Sequence, residues 1–216
     1  MIVFVPGYDR ATNANLSVAR DVVARADMAL LADDATRDKL VDALSGRAHE
    51  ALFSMSHGRP DHLCAQNGEA ALTADDAPIT CGRAVYAFAC HTASLLGERM
   101  CQGGTTWWGY TGAIQCPEDT APFRSLFVEL FAYIRGAFHA ASTREDRSRV
   151  LDEIARRCET AQSVVDEHVL RGTDGEVWAA YHCLLHIWDR LRVWPADAAE
   201  PEAHRNARPP SLFLVE

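Results

Sequence analysis

Two short runs end on residues that can do nucleophilic chemistry together. "SMSHG" (Ser54–Gly58) closes one apolar stretch on His57, and "FAC" (Phe88–Cys90) closes a second on Cys90. A thiolate attacks carbonyl carbon well only when a base stands by to take its proton, and imidazole is the usual base. The tetrahedral oxyanion also needs donors. Gly58, lacking a Cβ, lets its backbone N–H approach a substrate closely, and the N–H of Cys90 at a strand end supplies a second. The competing reading is structural: cysteine is among the most buried residue types, and His-Gly often opens a loop after a strand.

Positioning such a pair requires strands that end side by side, and the pattern supplies them. "IVFVPG" (Ile2–Gly7) reads as a fully buried strand stopped by Pro-Gly. A helix follows, with Leu16, Ala19, Val22, Val23 and Ala26 on one face. Met28–Asp34 is a second strand, and "TRDKLVDALSG" a short helix carrying Leu40, Val41 and Leu44 to a stop at Gly46. Glu50–Gly58, Arg83–Cys90 and Thr105–Ile114 are the next strands. Between the first two, Asn67-Gly68 marks a hairpin excursion. A short helix is expected directly after Cys90. Strands alternating with helices imply right-handed crossovers, hence an α/β fold with a mostly parallel sheet between helices, an α/β/α sandwich.

Beyond Pro117 the pattern turns helical. Pro122–Phe138 is apolar nearly all round and is expected to be a buried helix. Ser142 and Glu145 are spaced as a capping box opening a helix whose Val150, Leu151, Ile154, Cys158, Ala161, Val165 and Val169 share a face. "EVWAAYHCLLHIWDRLRVW" continues the helical pattern through Trp178, Tyr181, Leu185, Trp188 and Leu191. Residues 1–140 are thus expected to form the core, 141–194 a helical extension, and 195–216 a Pro/Ala-rich linker whose last "SLFLVE" could dock as a strand.

Composition narrows the function classes. A net charge of −9 offers no counter-charge to nucleic acid or an anionic membrane. The N-terminal apolar run is too short for a signal peptide or a span. Seven cysteines without a framework spacing fit a reducing cytoplasm. No G-x-S-x-G, P-loop or G-x-G-x-x-G occurs, which sets aside serine-hydrolase, NTPase and dinucleotide readings, and no cofactor is called for. His57, His62, Cys64 and Cys81 are conceivable zinc ligands without the usual ligand spacing, so no metal is expected. His91 is expected at the surface, and His182 and His186 as packing or surface residues.

"LFSMSHGRPD" followed by "AVYAFACHTAS" resembles the core of the caspase-like (clan CD) cysteine peptidases, closest to the bacterial caspase-like and CHAT-type pattern His-Gly … Ala-Cys-x-Thr. The resemblance spans roughly residues 2–138 and is strongest over 52–112. It implies His57 as general base and acid, Cys90 as nucleophile, and Gly58 with the Cys90 N–H as the oxyanion hole. The chain departs from the family in lacking Gln-Ala-Cys-x-Gly, in a shorter His-to-Cys gap, and in carrying Phe88 where metacaspases have an acid. By the same likeness the substrate pocket would draw on Asp9, Arg59, Phe88 and Asp119, with Tyr8, Arg10 and residues 110–112 nearby. Asp9 or Asp119 pointing inward would select a basic residue; Arg10 or Arg59 an acidic one. The implied activity is a cytoplasmic endopeptidase acting on a protein substrate, with a regulatory protein partner docking on residues 145–194. The alternatives are a catalytically silent caspase-fold interaction module and a zinc-binding regulator.

Overall fold

A computed structural model describes residues 1–169 and 176–209. β1 (Ile2–Val5) leads through α1 (Arg10–Val22) to β2 (Met28–Leu31), then α2 (Arg37–Gly46) and β3 (Leu52–Met55). The excursion before the next long strand is a separate antiparallel sheet: β4 (Gly58–Arg59), β5 (His62–Cys64) and β6 (Ala70–Thr73). Its turn carries Asn67 and Gly68, both with left-handed backbones, as the Asn-Gly pair foretells. α3 (Ala77–Thr80), β7 (Ala84–Phe88), α4 (Leu96–Gln102), β8 (Thr106–Tyr110), α5 (Arg124–Ala137), α6 (Arg144–Val169), α7 (Glu176–Asp189) and β9 (Leu191–Trp194) complete the chain.

The main sheet has the order β2-β1-β3-β7-β8-β9, parallel throughout except for β9, which runs antiparallel to β8. Both faces are covered. Val3, Val5, Phe53, Met55, Tyr86, Phe88, Trp108 and Tyr110 point into one core with α1, α5, α6 and α7. Their sequence neighbours Ile2, Phe4, Leu52, Val85, Ala87 and Trp107 point into another with α2 and α4. Burial on both sides explains why these strands read as continuous apolar runs rather than as alternation. The α/β/α sandwich expected from the sequence is therefore what forms.

Four expectations for the C-terminal half give way to tertiary structure. Leu191–Trp194 is the sixth strand rather than the end of a helix, and it buries all four residues against β8. α5 buries one stripe, Phe127, Leu130, Phe131 and Ile134, instead of its whole circumference. The capping box lies one residue later than Ser142/Glu145: Thr143 Oγ1 accepts from the Asp146 N–H, and Asp146 Oδ2 accepts from the Thr143 N–H. Residues 195–209 are not a free linker. Glu202 bridges Val193 and takes both arms of the Arg147 fork, and Arg208 binds Asp189. The "SLFLVE" strand falls outside the described residues.

Candidate active site

Parallel register brings the two sequence-predicted groups to one level. Met55 pairs with Phe88 at the carboxyl ends of β3 and β7, and the Ser56 N–H makes one further bond to the Phe88 carbonyl at 3.1 Å. His57 and Cys90 each lie two residues beyond that last pair. The sheet order reverses between β1 and β3, and in open α/β sheets the crevice at that reversal is where ligands collect.

The residue after β1 that matters most is Asp9. It is the N-cap of α1, where its Oδ1 accepts from the Thr12 N–H and the Thr12 hydroxyl, both at 2.8 Å. Its other oxygen, Oδ2, lies 2.6 Å from His57 Nε2. A carboxylate only accepts, so the Nε2–H donates, and Nδ1 is left as the nitrogen that can take a proton. Burial alone would raise the Asp9 carboxyl, but the hydrogen bonds from the Thr12 backbone, His57 and the Thr12 hydroxyl hold it below its ordinary value. The Tyr8 ring packs at 5.9 Å from the imidazole. Gln66 clamps this loop from the hairpin side, its Oε1 accepting from the Gly7 N–H at 2.8 Å.

Gly58 backs directly onto the thiol-bearing turn. A Cβ there would stand 2.6 Å from the Cys90 carbonyl oxygen, 2.6 Å from Thr92 Cγ2 and 2.8 Å from Ala89 Cβ. No helix starts at Cys90. The chain instead makes turns until Leu96, held by the Thr92 hydroxyl donating to the Ala89 carbonyl at 3.0 Å. His91, half-buried, takes a left-handed backbone at φ 61°, a conformation that costs a non-glycine residue about 1 kcal/mol or more. Among the described residues the Cys90 N–H has no backbone carbonyl acceptor and is directed at its own sulfur.

The thiol itself is engaged elsewhere. Cys90 Sγ accepts from the Ile114 N–H at 3.3 Å and lies 3.6 Å from the Ile114 carbonyl. It makes no hydrogen bond to His57 in this arrangement. Burial pushes the thiol above its ordinary value, against a lowering by the Ile114 backbone, its own backbone N–H and the charge of Arg190.

The remaining expected site residues separate. Arg59 is exposed at the hairpin edge with its charge near Cys64 and Tyr8. Phe88 cannot line a pocket: it is 1 % exposed and packs edge-on against Phe131 and Tyr110 inside the core. Asp119 sits half-buried beyond β8, near Cys116, with its N–H bonded to the Glu118 carboxylate. Asp9 points at the histidine rather than into a pocket. No group of three or more His, Cys, Asp or Glu side chains is placed to hold a metal ion among the described residues, so His57, His62, Cys64 and Cys81 do not converge. No helix among them is long and apolar enough to cross a membrane. No family model, curated protein or solved structure matches the chain.

Proposed function

We propose that the chain is a caspase-like cysteine endopeptidase built on Cys90, His57 and Asp9. The observation that carries this reading is the Asp9–His57 bond of 2.6 Å beside the thiol turn, because it fixes the imidazole tautomer that general-base catalysis needs. His57 Nδ1 takes the Cys90 proton as the sulfur adds to the substrate carbonyl. The Gly58 and Cys90 N–H groups receive the oxyanion. The imidazolium, steadied by Asp9, then protonates the departing amine and leaves an acyl-enzyme. Water, deprotonated by His57, releases the acid and restores the thiol.

A cytoplasmic setting accords with seven unpaired cysteines. The proposed protein partner finds a candidate footing on α7, where Trp178 is 59 % exposed. A second reading, the catalytically silent interaction module, draws on one observation: the thiol is bonded to the Ile114 backbone and is raised rather than lowered. A peptide-library digest separates the two. The enzyme reading expects cleavage by the native chain that Cys90→Ala abolishes; no cleavage of any peptide, with or without added protein partners, favours the silent module.

A further inference from the structure

The segment after β8, residues 111–116, lies between the thiol and α7 and is bonded to both. On the thiol side, the Ile114 backbone brackets Cys90 Sγ and the Gly112 carbonyl accepts from the His91 N–H at 3.2 Å. On the other side, the Thr111 N–H donates to the Arg190 carbonyl at 3.1 Å, and the Arg190 guanidinium donates to the Ala113 carbonyl. The Arg190 side chain runs along Gly112, where a Cβ would meet Cδ at 3.3 Å and Nη1 at 3.4 Å. The Cys183 thiol of α7 reaches the Gln115 carbonyl at 3.1 Å. Among the described residues the guanidinium of Arg190 makes its hydrogen bond to this segment.

We infer that residues 111–116 form a strap that holds the Cys90 thiol on the Ile114 backbone and away from His57, and that α7 sets the strap's position through Cys183 and through Arg190, which directly follows the helix and is tied to it by its N–H on the His186 carbonyl. The inference rests on the peptidase reading for its meaning, since a latch on the thiol regulates only if the thiol acts. A protein docking on α7 that shifts Arg190 would release Thr111 and Ala113, and with them the hold on the sulfur. The chain is then a resting form whose nucleophile is freed from the far end of the strap.

The sign of one experiment isolates the strap. The Ile114 backbone and the positive charge of Arg190 both favour the Cys90 thiolate, so if electrostatics were all they contributed, Arg190→Ala would slow Cys90 alkylation, whereas exposing the sulfur speeds it. Loss of the strap's anchor does the opposite. Alkylation of the full chain by iodoacetamide, mapped by mass spectrometry, is expected to accelerate at Cys90 by about fivefold in Arg190→Ala, the factor that corresponds to one lost hydrogen bond. Gly112→Ala, which presses on Arg190 from the strap side, is the second variant, with an acceleration of about twofold. Buried Cys158 is the internal reference. An unchanged or slower Cys90 rate in both variants overturns the inference, as does an acceleration shared equally by Cys158, which is unfolding. Because alkylation needs no turnover, a chain that cleaves nothing can still carry the strap, and an active peptidase can lack it.

Discussion

Gly58→Ala tests the packing on which the site depends. The added methyl would lie 2.6 Å from the Cys90 carbonyl oxygen and from Thr92 Cγ2, and 2.8 Å from Ala89 Cβ. The oxygen and Ala89 Cβ are fixed to the backbone, and Thr92 is fully buried, with its hydroxyl bonded at 3.0 Å. None can swing aside as a flexible side-chain end would. Ordinary contact at about 3.5 Å therefore requires the β4 edge and the thiol turn to part by nearly 1 Å. Overpacking of this kind costs about 1–3 kcal/mol, which for a chain of this size lowers Tm by about 2–12 °C. A displacement of that size between nucleophile and base also lowers kcat/KM by about 100-fold. Thermal unfolding and Cys90 labelling by a peptidyl electrophile read the two effects. Gly136→Ala in α5 is the control, since a Cβ there meets nothing within 4 Å and alanine favours the helix by about 1 kcal/mol. A Gly58→Ala protein with native Tm and native labelling rate would refute the close packing.

Asp9→Asn keeps an N-cap for α1 but removes the carboxylate from His57. It is expected to lower kcat by about 10–100-fold with little change in KM. This is less than the loss of about 10⁴ for a buried orienting carboxylate, because the Asp9 and His57 side chains are 42 % and 39 % exposed. An unchanged kcat would remove Asp9 from the mechanism. Burial, with the charges of Arg190 and His182 adding to it, lowers His186 to about 4. The folded chain keeps it neutral while the unfolded chain takes up its proton near pH 6.5. Its contribution is thus complete above about pH 6.5 and lost as pH falls toward about 4. Tm measured across that range should fall less steeply in His186→Gln than in the native chain, and equal slopes would contradict the burial argument.

The strands were legible because each one is buried on both faces and so stands out as a short apolar run between turn residues. His57, Gly58 and Cys90 were legible for the same reason, as the residues that close those runs. β9 was not. "LRVW" continues the spacing of α7, and what ends the helix is distant: Asp189 accepts from the Arg208 N–H at 2.8 Å and from its guanidinium. The tail misled in the same way, since its composition is that of a linker while its order comes from Arg147, Asp189 and Val193. Ser142/Glu145 and Thr143/Asp146 have the same spacing, and no local signal chooses between them. The Asp9–His57 bond lay hidden as a contact across 48 positions. The available clue was an N-cap acid just past the Pro-Gly that ends a strand adjacent to the one bearing the histidine. Ile114 and Arg190 left no signal, because one acts through its backbone and the other through a carbonyl it reaches only in the fold.

The central claim is that Cys90 is a nucleophile served by His57. Its most direct test is the reaction of the folded chain with a thiol-directed peptidyl electrophile, followed by mapping of the adduct, in the native protein and in His57→Ala. The account predicts an adduct on Cys90 in preference to the other six cysteines, with its rate falling by about 100-fold or more without the imidazole. Equal labelling of Cys64 or Cys101, or a Cys90 rate indifferent to His57, would contradict it.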